Sequence, residues 1–449
     1  MQNDRRQKVS GILALAIPAM IESILQTIVG VADTLFVARI GLDEVTAVGI
    51  ANTILAIYMA VFMAIGVGTS SIIARSIGAG DFKAAGAAAK QSAVLSVITG
   101  ILAGIVTLIF AESLLKVMGA SPEVLHEGAL YLRIVGVPSV FISLMLIYGS
   151  ILRASGDTKT PMKVGWWINI IHICLDYILI FGLFMIPGMG VAGAALATVL
   201  VRVLGTVLLY IKIKKSKTAF SLFARQTPFV KSFGPAIIKL SWPSAIERLI
   251  MRLGQLLYFG LIVRMGTETY AAHTIAGNIE AFSYMPGYGL AIAAATLVGQ
   301  SMGAGRVKDA YRYGILTTFI AVLFLSFIGV LLFFLSPWFA AWFTEDRNAA
   351  GMVVTALRID AFAQPAVAAS LVLAGALQGA GDTKSPMYST AVGMWGIRVA
   401  GVYILGILCG LGIAGIWLSI AIDLAARSIF LYFRFRKLMK PMQQAESAL

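Results

Sequence analysis

Charged side chains are scarce in this 449-residue chain. Only 12% of it is Asp, Glu, Lys or Arg, about half the share found in soluble domains. Cysteine is nearly absent, and Cys174 and Cys409 both fall inside apolar stretches, so they build neither a disulfide framework nor a metal site. With three histidines, zinc chemistry is also disfavoured. No phosphate-binding P-loop occurs, so an enzyme is the least supported class. A channel is disfavoured too, because no ring of repeated filter residues appears. The apolar runs do not alternate with polar residues, which argues against a membrane barrel. After the charged start MQNDRRQKVS there is no small-residue cleavage site, so the first apolar stretch reads as a span and not as a signal peptide.

What fills the chain is apolar. Hydrophobic residues make up 59% of it and the mean hydropathy is +0.89. Runs of about 20 residues or more, long enough to cross a bilayer, follow one another almost without interruption. The fold class is therefore an all-α polytopic membrane protein. Spans are expected at 12–38, 46–77, 86–112, 124–152, 161–185 and 190–213, then at 235–263, 270–302, 310–342, 348–377, 386–408 and 412–434.

The two sets of six are copies. GDTKTPM at Gly156–Met162 recurs as GDTKSPM at Gly381–Met387, an offset of 225 residues. The same offset relates Pro18 to Pro243, Glu22 to Glu247, Arg39 to Arg264, Gly80 to Gly305 and Arg133 to Arg358. A register held this long marks duplication and fusion. Gly156 and Gly381 suit left-handed helix ends, and Thr160–Pro161 and Ser385–Pro386 suit an N-cap followed by proline. The motif thus reads as a turn between spans, with no chemistry of its own.

The loops sort by charge. Lys83, Lys90, Lys159, Lys163, Lys212, Lys214, Lys215, Arg306, Lys308, Arg434 and Lys437 gather on one side, while Asp43, Glu44, Glu112, Glu268 and Glu345 lie on the other. The positive-inside rule puts both termini in the cytoplasm. This asymmetry and a few intramembrane arginines account for the formal net charge of +14 without nucleic-acid binding. Residues 1–211 form an N-terminal lobe and 234–449 a C-terminal lobe, joined by a basic linker at 212–233. Even numbers of spans give parallel repeats, whose substrate sites usually lie between them.

Two six-helix halves with GDTK in each resemble the multidrug and toxic compound extrusion (MATE) family. The resemblance covers essentially the whole chain, in its NorM-like and DinF-like prokaryotic branches. It is carried by Ile17–Gly41, Ala74–Ala85, Arg153–Met162, Leu175–Gly182 and Ala376–Met387. It implies a V-shaped, two-lobe exporter of lipophilic organic cations and drugs, driven by inward H⁺ or Na⁺, in a bacterial plasma membrane. No cofactor is expected, and the chain is expected to act as a monomer.

Ionisable residues inside a membrane are costly and usually functional. Asp33 in the first span and Asp176 in the fifth lie at equal depth, so a shared site is feasible. Two carboxylates together in a poorly solvated pocket resist being ionised at once, so such a pair can load a proton near neutral pH. Oxygen ligands could instead hold Na⁺. Asp33 maps onto Tyr258 in the second copy, so this acid belongs to one lobe. The resemblance implies that Asp33 couples the ion. It also places asparagine where this chain has His172, with Asn169 one turn earlier. His172 is either a titrating partner or a polar stand-in, and both readings stay open. Thr198 in the sixth span is a further, weak candidate ligand, for which ordinary helix-to-helix hydrogen bonding is the better reading.

In the second lobe, Glu247 and Asp360 resemble an acidic pair that NorM-like members use. Arg248, Arg252, Arg358 and Arg398 nearby argue for internal ion pairs, and Asp423 and Arg427, one turn apart, are expected to pair with each other. Met20, Met59, Phe62, Met63, Phe141, Met145, Tyr148, Met251, Tyr258, Phe282 and Met285 are candidates to line a polyspecific cavity. Thioethers repack around varied ligands and aromatic faces attract cations, but the same residues are ordinary lipid-facing ones. A lipid-linked precursor flippase of the same superfamily is the alternative; it would call for extra spans and a basic cavity.

Overall fold

A computed structural model describes residues 2–183, 186–215 and 232–446. Its helices, in chain order, are α1 (Gln2–Ala38), α2 (Leu42–Gly78), α3 (Phe82–Val117), α4 (Pro122–Gly136), α5 (Ser139–Ala154), α6 (Lys159–Phe181) and α7 (Gly190–Lys215). The second half holds α8 (Phe233–Val263), α9 (Thr267–Gly303), α10 (Val307–Phe343), α11 (Arg347–Gly379), α12 (Lys384–Ala391) and α13 (Gly412–Glu446). α12 runs on through π-helical stretches at Val392–Val399 and Val402–Leu408. Two short antiparallel strands, β1 (Gly182–Leu183) and β2 (Ile186–Pro187), follow α6, which ends where Gly182 turns to φ 84°.

Among the described residues ten helices are long and apolar enough to cross a membrane, or eleven if the bent pair α4 and α5 is one span. α8 is not one of them, although its 31 residues reach about 46 Å, long enough to cross a bilayer. It carries Glu247, Arg248 and Arg252 within that length.

The expected straight span at 124–152 is instead bent by 49° between α4 and α5. Pro138 is the cause: it has no N–H to donate, and its ring clashes with the carbonyl one turn back. Beside the break, Ser139 Oγ donates to the Gly136 carbonyl at 2.5 Å. The repeated turn also corrects an expectation. Gly156 and Gly381 are left-handed, at φ 92° and 82°, but Thr160 and Ser385 do not cap. Asp157 Oδ1 accepts from the Thr160 N–H at 2.9 Å and Asp382 Oδ1 from the Ser385 N–H at 3.0 Å. A carboxylate answers both the open N–H groups and the positive end of the helix dipole. The helices therefore start two residues before the prolines. Ser385 Oγ donates to Asp382 Oδ2 at 2.7 Å, and Arg434 reaches the same oxygen at 2.8 Å.

The chain forms two compact units. One is Glu22–Ala245, and the other joins Met1–Ile21 to Ile246–Leu449. Their edges differ from the lobes read from the repeat, because α1 and α8 each give one end to either unit. The expected linker lies, over residues 216–231, outside the described residues. In the first unit one core cluster gathers Ile65, Ile73, Ile147, Ile151, Leu209 and Ile237, and another gathers Val48, Leu55, Leu132 and Ile180. In the second the core gathers Ile12, Ala16, Leu290, Val298, Leu325 and Phe435, with Tyr258, Leu357 and Trp417 in a separate cluster.

Backbone contact between helices does much of the packing, as small residues allow in membranes. Gly375 and Gly379, spaced GxxxG on α11, rest on the carbonyls of Ala291 and Ala295 on α9. A Cβ at Gly375 would sit 2.5 Å from the Ala291 oxygen. Gly375→Val should therefore destabilise the second unit by about 1–3 kcal/mol, measured as a lowered thermal midpoint in detergent. An unchanged midpoint would contradict the close contact.

Candidate functional site

α6 presents His172 and Asp176, four residues apart and so on one face. Both are buried, at 7% and 1% exposure. α1 brings Asp33 to the same place: His172 Nδ1 lies 3.8 Å from Asp33 Oδ1, and His172 Nε2 lies 3.5 Å from Asp176 Oδ2. Candidate ligand atoms of the three residues all fall within 4.8 Å of one another. Thr198 on α7 closes the fourth side, its Oγ1 3.4 Å from His172 Nε2. That hydroxyl donates to the Ala194 carbonyl at 2.9 Å, which leaves its oxygen lone pairs facing the imidazole.

The backbone explains why α6 and α7 come this close. Gly193 on α7 rests directly on the Leu179 carbonyl of α6, and Gly415 makes the equivalent approach to Leu405 in the second unit. A side chain at Gly193 would push Thr198 away from His172.

Gly30, Asp33, Asn52, Tyr131, Asp176 and Thr198 line a cavity of about 170 Å³ inside the first unit. Tyr131 Oη donates to Asn52 Oδ1 at 3.5 Å, at the long limit of a hydrogen bond. Asp33 Oδ1 and Asp176 Oδ2 are both buried with no hydrogen-bond partner. Asp33 retains 37% side-chain exposure and Asp176 only 2%. Asn169, one turn before His172, does not line this cavity.

Asn52, Tyr131 and Arg202 escaped the sequence reading. Asn52 and Tyr131 arrive from α2 and α4 through tertiary packing alone. Arg202, one turn beyond Thr198 on α7, acts electrostatically on Asp33, Tyr131 and His172. Its position in the middle of an apolar span was a readable signal.

The second unit holds a larger cavity, about 450 Å³, lined by Glu247, Met251, Tyr258, Glu280, Tyr284 and Arg398 among others. Glu280, an intramembrane acid that the sequence reading passed over, interacts electrostatically with Asp360 and Arg398. Asp360 is buried and accepts from Gln364 Nε2 at 2.7 Å, while its Oδ1 has no partner. Glu247 accepts from Thr390 Oγ1 at 3.1 Å. Its repeat mate Glu22 pairs with Arg153 at 3.0 Å. Arg133 pairs with Glu112 at 3.0 Å, while its mate Arg358 lies over the Phe333 ring at 5.2 Å. Asp423 pairs with Arg427 at 2.6 Å, as expected, and also with Arg398 at 2.8 Å.

The proposed lining residues scatter. Met251 and Tyr258 line the second unit's cavity. Phe62 and Tyr148 are buried, Tyr148 against Tyr210. Met145 packs into the first unit's core and Met20 against Gly289 in the second. Met63 and Phe282 are exposed, and Met59, Phe141 and Met285 are half-buried.

The family described as MatE matches residues 18–178 and 243–404. The chain is 32% identical over 422 residues to the probable multidrug resistance protein NorM of Thermotoga maritima, covering 93% of this chain and 90% of that one. It is 27% identical over 444 residues to the multidrug resistance protein PmpM of Pseudomonas aeruginosa, covering 96% and 92%. Among solved structures it resembles an outward-facing multidrug resistance MATE family transporter of the MOP superfamily. The TM-score is 0.91 at 26% identity, over 97% of this chain and 96% of that one. A MOP superfamily transporter from Pyrococcus furiosus, whose binding pocket of reverse polarity was taken to suggest a different function, gives 0.90 at 26% identity over 96% of each chain.

The two units treat buried charge differently, and this has a measurable consequence. Asp423→Asn leaves Arg398 and Arg427 without their carboxylate, which should cost about 3–5 kcal/mol. Asp360→Asn keeps an acceptor for Gln364 and should cost far less. Thermal unfolding of the two purified variants in detergent checks the order; equal losses would contradict it.

Proposed function

The chain belongs to the MatE family of multidrug efflux transporters, and we propose that it expels amphipathic organic cations in exchange for protons that load at Asp33 and Asp176. Membership makes it a transporter and not an enzyme. The observation that carries the proposal is the pair of buried carboxylate oxygens, Asp33 Oδ1 and Asp176 Oδ2, that receive no hydrogen bond and lie near one imidazole. Unpartnered carboxylates at membrane depth are expensive. A positive charge arriving there relieves that cost, so occupancy of the site can bias one conformation of the transporter over another.

The donor set favours the proton over sodium. Hard cations of this kind take a shell of oxygen ligands, and here the His172 ring sets nitrogens beside the two carboxylates. Both of its nitrogens face an acid. An imidazole in that position exchanges protons readily. Each proton moving inward supplies about 2.3 kcal/mol per 100 mV of membrane potential, in addition to its concentration gradient.

Loading would act on α1, which carries Pro18 and the unobstructed Gly30 beside Asp33. The charge distribution of the loops supports cytoplasmic termini in a plasma membrane, and a monomer suffices because each unit holds its own acidic site. Asp33→Asn and Asp176→Asn should each reduce efflux of a fluorescent cation from proteoliposomes to the level of empty vesicles, while elution from size exclusion stays wild-type. Full efflux by the Asp33 variant would overturn the proposal.

A further inference from the structure

We propose that the cavity of the second unit is the seat of the cargo: a drug-sized organic cation lies along its α9 wall with the positive charge against Glu280. The inference rests on the reading that the cargo is an organic cation. It adds where that cation sits and which acid meets it.

Size separates the two cavities. About 450 Å³ in the second unit lies within the roughly 300–1,000 Å³ of sites that take drug-sized ligands. The 170 Å³ of the first unit falls short of that range, although it has room for an ion and waters at about 30 Å³ each. The acids that load the proton therefore lie in a space too small for the cargo.

The sequence of α9 builds the wall. Tyr270, His273, Gly277, Glu280, Tyr284 and Tyr288 all line the cavity. At about 100° per residue they fall within about 80° of one helix face. Glu280 thus has aromatic rings on both sides of it along the helix. Tyr284 and Tyr288, one and two turns beyond it, have ring centroids 5.7 Å apart. His273, two turns before it, packs 5.9 Å from the Tyr258 ring of α8. α8 adds Met251, Gln255 and Tyr258 from one of its own faces. Aromatic faces attract an organic cation, and a thioether adapts to its outline.

Charge singles out Glu280. Arg398 and Arg427 also line the cavity, but Asp423 already holds both, at 2.8 and 2.6 Å. Glu247 accepts from Thr390. Among the described residues the Glu280 carboxylate makes no hydrogen bond or ion pair, and Arg398 acts on it only from beyond ion-pairing range. Asp360 lies near enough to repel it. Glu280 is half-buried, so a ligand in the cavity can reach it while water is partly excluded. A cation seated there answers an acid that the protein leaves without a counter-ion.

Gly277 supplies a variant that blocks the cavity without disturbing the packing. It lies one turn before Glu280 on the same stripe, and a Cβ there would meet nothing within 4 Å. Any ordinary side chain also favours the helix over glycine. Glu280→Gln removes a repulsion with Asp360 and should keep the thermal midpoint of the wild type. The test measures ethidium binding by fluorescence anisotropy to wild type, Gly277→Phe, Glu280→Gln and Asp33→Asn, purified in detergent at one pH with no gradient. Glu280→Gln should weaken binding by on the order of 10–10²-fold, Gly277→Phe should abolish it, and Asp33→Asn should bind as the wild type does. Wild-type affinity in both second-unit variants would overturn the seat and leave the proton site standing, provided Asp33→Asn is inactive in efflux. Loss of binding in Asp33→Asn alone would put the cargo in the first unit and overturn the seat equally. Lost efflux by Glu280→Gln with ethidium binding intact would make Glu280 a coupling group and not the counter-ion. Wild-type protein that neither binds nor exports ethidium would remove the cation cargo itself, and the seat with it.

Discussion

The cost of holding charge away from water governs this molecule. A chain with so few ionisable side chains, most of them in loops, concentrates meaning in the few that lie within its spans. Each unit holds both paired and open acids. In the second, Asp423 is locked between Arg398 and Arg427, and three charges become one hydrogen-bonded cluster with a net single positive charge. In the first, Asp33 and Asp176 are left with open oxygens around an imidazole. A paired cluster holds helices in register. An unpaired one waits for a cation.

The geometry around the open pair follows from small residues and local rules. Gly193 lets α7 descend onto α6, the four-residue spacing puts His172 above Asp176, and Thr198 uses its own helix carbonyl to fix which way its hydroxyl points. Pro138 bends the fourth apolar stretch, and α4, just before that break, carries Tyr131 to the cavity. None of these features is chemical by itself. Together they place two acids and one imidazole beside one another.

Much of this was legible beforehand. The 225-residue register, the helical class and the asymmetry of Asp33 against Tyr258 all stand in the residues, because they depend on hydropathy and repetition. The depth argument for Asp33 and Asp176 also needed only span boundaries. Other features depended on three-dimensional packing. Asn52 and Tyr131 join the cavity from helices that no local pattern connects to it, and the methionine and aromatic candidates scatter because hydrophobicity alone cannot tell core from cavity from lipid face. Phe62 is buried while its neighbour Met63 is exposed. The capping role of Asp157 was open to view in GDTK, but the proline drew attention to the wrong residue. Arg202 and Glu280 were visible intramembrane charges whose significance emerged only with their neighbours.

The central claim is that a proton, entering at Asp33 and Asp176, drives export. Proteoliposomes carrying the wild-type protein, a fluorescent organic cation and an internal pH dye permit pH and sodium gradients to be imposed separately. The account predicts efflux from the lumen with matching luminal acidification under an inward pH gradient in sodium-free buffer, and no efflux under sodium alone. Efflux that follows the sodium gradient and leaves luminal pH unmoved would contradict it.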